Sequence, residues 1–183
     1  MKDKNKARSD SWGLAAITIV VLIHVMGAQG DTVQGTAMVN ATKISLTSGM
    51  AVSYNTANGQ LISVLLSDKP ADRKAFTTDT TIGPGEPLVP GLFEGAWKGQ
   101  HIGKRLSGAT FTFGAKGNLV SEEFLVGGKN NTFSLGPDEY VLEVKSMSPR
   151  VVGRIRTKMP IVEAGSTKAG LDATFDLAVE RRQ

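Results

Sequence analysis

The chain has 183 residues, 40% hydrophobic and 21% charged, with 21 glycines and 7 prolines, a composition too apolar for a disordered chain and sufficient for one folded core. The absence of cysteine excludes a disulfide framework, a thiol nucleophile, an iron–sulfur cluster and a cysteine-ligated zinc site. The formal net charge of +4 is partly concentrated at the amino end, and the remaining basic residues are scattered among acidic ones, so no nucleic-acid footprint is expected.

Residues 1–11, MKDKNKARSDS, are polar and net basic, and residues 12–28, WGLAAITIVVLIHVMGA, form an apolar run interrupted only by Thr18 and His24. A basic segment followed by an apolar one is the pattern of a secretion signal. Ala28 and Gly30 then supply small residues on the amino side of a cleavage between Gly30 and Asp31, as a signal peptidase requires. The expectation is an N-terminal signal helix over residues 1–30 and a single exported domain over 31–183, periplasmic or secreted. The apolar run falls short of the roughly 20 residues that span a bilayer, so membrane contact is confined to the alternative in which residues 12–28 stay as an inner-membrane anchor.

Beyond the leader, Val33 to Asn40 and Thr42 to Leu46 alternate apolar and polar residues with the period of two that a half-buried strand requires. Met50 to Tyr54 and Gln60 to Leu66 follow, joined across Asn58-Gly59, a pair that tolerates the positive φ of a hairpin turn. Ile62, Val64 and Leu66 share one face while Leu61 and Leu65 fill the other, which predicts a central strand covered on both sides. From about residue 77 to 103 proline and glycine accumulate, and a long Gly/Pro-rich loop is expected. Ala109 to Phe113 alternates strictly, Gly114 to Asn118 turns, and Leu119 to Val126 returns as a hairpin. Thr132 to Leu135, Tyr140 to Lys145, Val151 to Thr157 and Ala173 to Val179 are further strands, the last two separated by a connection from Pro160 to Gly170. With no segment of long helical period, the fold class is all-β: an antiparallel β-sandwich of about eight to ten short strands, with a β-barrel as the alternative.

The chemistry available is narrow. His101 is the only histidine outside the leader, so a multi-histidine metal site is impossible, and no Gly-x-Ser-x-Gly elbow accompanies it. No calcium loop and no phosphate-cradling glycine motif is present, and no metal or cofactor is expected. Glu122 and Glu123 are adjacent on a strand and point to opposite faces, which prevents them from acting on one bond. The densest local cluster is Phe93, Glu94, Trp97 and His101 in the Gly/Pro-rich loop, a candidate ligand platform, although Phe93 and Trp97 would equally serve to pin that loop to the domain. Asn40-Ala-Thr42 and Asn130-Asn131-Thr132 match the glycosylation triplet.

The functional expectation is an exported, non-enzymatic binding or structural module, with an envelope component, a polysaccharide or a protein as its partner. One alternative is a carboxylate-dependent glycan-acting enzyme using Glu94 with Glu123 or Asp138. The other is a membrane-tethered assembly factor.

Overall fold

The computed structural model describes residues 30–56, 59–71, 106–127 and 132–181. The strands are β1 (Thr32–Val39), β2 (Thr42–Leu46), β3 (Ser48–Thr56), β4 (Gly59–Ser67), β5 (Gly108–Gly114), β6 (Leu119–Leu125), β7 (Thr132–Phe133), β8 (Tyr140–Ser146), β9 (Arg150–Thr157), β10 (Val162–Ala164) and β11 (Thr167–Arg181). A single 3-10 turn at Pro137–Glu139 precedes β8. The expected leader helix and the 77–103 loop lie outside the described residues, as do the second glycosylation triplet's two asparagines.

The described residues are all-β, and among them the hydrogen-bonded sheet is not closed, as the alternative of a barrel would require. Two arms meet at β11. In one, β2, β1, β11, β9 and β8 pair antiparallel in that order. In the other, β3, β4, β5, β6 and β7 pair antiparallel as successive neighbours. The arms are joined where the last residues of β11 run parallel to β3, with Val179 opposite Ala51 and Arg181 opposite Ser53. That parallel pairing departs from the wholly antiparallel expectation.

Eleven described strands exceed the eight to ten expected because the Pro160 to Gly170 connection is itself structured. Gly165, at φ 60°, turns a short hairpin that pairs Val162 with Ala169 and Ala164 with Thr167, and so begins β11 six residues earlier than Ala173. Gly170 reads as a breaker in sequence, yet it sits inside the strand for a steric reason. A Cβ at that position would overlap the Pro160 carbonyl oxygen, which folds back over the strand. Conversely, β7 covers only Thr132–Phe133 of the expected Thr132 to Leu135.

The core follows the alternation. Ala37 and Val39 of β1, Ile155 of β9, and Ala169, Leu171, Ala173, Phe175 and Leu177 of β11 point to the same buried cluster as Ile62, Val64, Phe111, Phe113 and Phe124 of the second arm. Phe111 meets Tyr140 edge-on at 5.9 Å between ring centroids, a contact between β5 and β8. Full burial of each such ring removes enough apolar surface to contribute about 1.5–3 kcal/mol. The second arm is also buried on its other face, where Met50, Val52, Leu65, Leu106 and Leu125 form a separate cluster. This matches the prediction for β4, which lies between β3 and β5. The β1–β11–β9 sheet is buried on one face only, and its other face carries the polar half of each alternating strand.

Candidate functional site

The outward face of that sheet is organised in cross-strand rows. Thr36 of β1 lies opposite Asp172 of β11, and Asp172 lies opposite Arg156 of β9. One position along, Gln34, Thr174 and Arg154 form the next row. Directly opposed charges should pair, so Asp172 and Arg156 are natural partners. Asp172 instead reaches diagonally to Arg154: its Oδ1 accepts from Nε at 2.9 Å and its Oδ2 from Nη2 at 2.7 Å. This two-pronged arrangement matches the planar guanidinium fork to both carboxylate oxygens. The bond to Arg154 holds the Asp172 carboxyl below its ordinary range, and reciprocally raises the Arg154 guanidinium.

Arg156 is left without an ion pair, as is Lys158 just beyond the end of β9, among the described residues. Both line a surface pocket of about 300 Å³ whose other walls include Thr36, Met38, Pro160 and Gly170. The glycine floor and the returning Pro160 backbone create the concavity. Met38 is 36% exposed and Ile161 is 36% exposed at its edge, large apolar side chains left in water beside two unpaired cations. A second pocket of about 450 Å³ lies between the β5–β6 turn and β8, where Lys116 and Lys145 are both exposed.

At the other end of the same face, Asp31 precedes β1 and is clamped. Its Oδ1 accepts the Ala178 backbone N–H at 2.8 Å and lies 3.4 Å from Arg150 Nη2. Arg150 also donates to Asp176 and to the Gly30 carbonyl oxygen. Both Gly30 and Asp31, on either side of the expected cleavage point, are thus bonded to Arg150.

The sequence-predicted site residues Phe93, Glu94, Trp97 and His101 lie outside the described residues. Of the other carboxylates considered, Glu122 and Glu123 do point to opposite faces. It is Glu122 that turns into the core, next to Phe124, because the hairpin register places it opposite Phe111. Its Oε1 accepts from the Ser134 hydroxyl at 2.5 Å and the Gly136 N–H at 2.6 Å, and its Oε2 accepts from the Tyr140 hydroxyl at 3.1 Å. Burial, reinforced by the Glu122 charge, pushes the Tyr140 phenol far above its usual value. Asp138 is exposed in the 3-10 turn. Among the described residues no three histidine, aspartate or glutamate side chains gather as a metal site.

Asn40 explains its own glycosylation triplet in terms of turn chemistry. It adopts φ 53° between β1 and β2, and its Oδ1 accepts the Lys168 N–H at 2.9 Å. The pairing that frees Arg156 was not legible in sequence, because both arginines and Asp172 alternate outward and only the register selects the diagonal. Comparison with protein-family models, curated proteins and solved structures finds no match to the chain.

Proposed function

We propose that the chain is an exported, non-enzymatic binding module, a two-layer β-sandwich that engages its partner through the outward face of the β1–β11–β9 sheet. The sandwich reading is supported by the single core shared by both arms and by the Phe111–Tyr140 contact between them. Export is supported by the basic and apolar halves of the leader and by the small residues Ala28 and Gly30 that follow them.

The observation that carries the binding reading is the release of Arg156 by the Asp172–Arg154 pair beside a concave, partly apolar surface. The non-catalytic reading rests on how the other charged groups are engaged. Glu122 receives three donors, Asp31 and Asp176 hold Arg150, and Glu163 pairs with Lys168 at 2.6 Å across the β10–β11 hairpin. Such groups organise strands and turns. The partner would be an envelope component, whether lipid, polysaccharide or protein.

Fractionation of cells making the full chain tests the compartment. Recovery outside the cytoplasm, or in membranes with the domain open to added protease on the outer side, is the expected result. Recovery in the cytosol overturns the proposal.

A further inference from the structure

We infer that the pocket at the end of β9 is a phosphate-type oxyanion site with an apolar shoulder. This inference rests on the reading of the chain as a binding module and names the chemistry of what it binds.

Four observations converge on it. Arg156 is partly buried and lines the pocket wall formed by the end of β9. Its in-register carboxylate has both oxygens engaged by Arg154, so Arg156 acts on Asp172 through its charge alone and its fork has no hydrogen-bonded carboxylate among the described residues. Lys158 lines the same pocket and adds a second, mobile point charge. Met38, 36% exposed, lines the pocket with these cations, and Ile161, 36% exposed, lies against Gly170 at the pocket floor.

A tetrahedral phosphate can accept two bonds from the arginine fork while the lysine approaches a third oxygen. Nearby Asp172 does not repel such a group strongly, because its charge is matched by Arg154. The exposed methionine and isoleucine suit an acyl or other apolar extension of the same ligand. The second pocket, between the β5–β6 turn and β8, is a weaker candidate, since its two exposed lysines come without an arginine fork to orient a phosphate.

The test is an NMR titration of the isotope-labelled full chain with two probes: glycerol 3-phosphate, and a short-chain phosphatidylglycerol below its micelle concentration. Both should perturb the amides of Met38, Arg156, Lys158 and Gly170, and binding should weaken with added salt. Arg156→Gln and Lys158→Gln should each weaken binding by about tenfold, as expected for loss of a charge-assisted contact, while Lys116→Gln leaves it unchanged. Markedly tighter binding of the phospholipid identifies a lipid headgroup as the source. Equal binding identifies a free phosphate ester.

Absence of perturbation at these amides with both probes overturns the site, as does binding that Arg156→Gln leaves intact. If the phosphorus signal shows either probe being hydrolysed, the non-enzymatic reading falls while the oxyanion site stands.

Discussion

At Glu122 a single carboxylate joins three pieces of chain: its own strand β6, the segment around Ser134 and Gly136, and the start of β8 through Tyr140. Only 5% of the residue is exposed, so its removal strands donors that water reaches poorly. Glu122→Ala should cost about 2–3 kcal/mol of stability, chiefly from the orphaned Tyr140 hydroxyl, since the Gly136 N–H retains the Ser134 hydroxyl as an acceptor. Glu122→Gln keeps one acceptor oxygen, and the Tyr140 hydroxyl can rotate to accept from the new amide, so its cost should be roughly 1 kcal/mol. Urea unfolding of the two variants measures this. Equal losses would mean that a single acceptor oxygen retains none of the stabilisation and that both carboxylate oxygens are needed, whereas a loss confined to Glu122→Ala would mean that the side chain acts through its volume alone. In sequence, Glu122 and Glu123 are indistinguishable as candidates. The β5–β6 register decides between them, and its shift near Thr112 and Phe113 is a feature that alternation does not announce.

Among the elements, β11 does the most to organise the chain. It supports β1 on one side and β9 on the other, turns back from β10, and finally pairs parallel with β3. Its inward residues Ala169, Leu171, Ala173, Phe175 and Leu177 alternate without a break, yet the half before Ala173 was read as a connection because Gly170 and the Gly165 turn suggest loop chemistry. Strands with uniform alternation, such as β1, β5 and β9, were legible to within a residue or two. Glycines whose role is to let another backbone approach were not, since the approaching atom is distant in mind until the fold brings it near. Gly49 is a second case: a Cβ there would press on the Leu65 carbonyl oxygen and on Val33, where β3 leaves the first arm for the second. Gly170→Ala should force the Pro160 backbone away from β11, destabilise the chain by roughly 1–3 kcal/mol and disrupt the adjoining pocket. Unchanged thermal stability together with unchanged binding of glycerol 3-phosphate would refute the role given to Pro160.

Among the described residues, the two arms share one core, and the outward face of the first arm carries the polar half of its alternating strands. The expected all-β architecture and the central position of β4 follow from composition and alternation. The pairing of arms through β11 does not, because a long-range parallel contact between residues 51–53 and 179–181 leaves no local pattern. The candidate site was similarly hidden: three outward-facing charged positions read as a solvated face, and it is their register that leaves one cation unmatched. At the amino end, small residues precede Asp31 in the sequence, and both Gly30 and Asp31 bond to Arg150. The proposed functional form is residues 31–183, released outside the cytoplasm by cleavage after Gly30. The N-terminal sequence and intact mass of the protein recovered from cells test this most directly. A chain starting at Asp31 is predicted, and an intact chain starting at Met1 would contradict it.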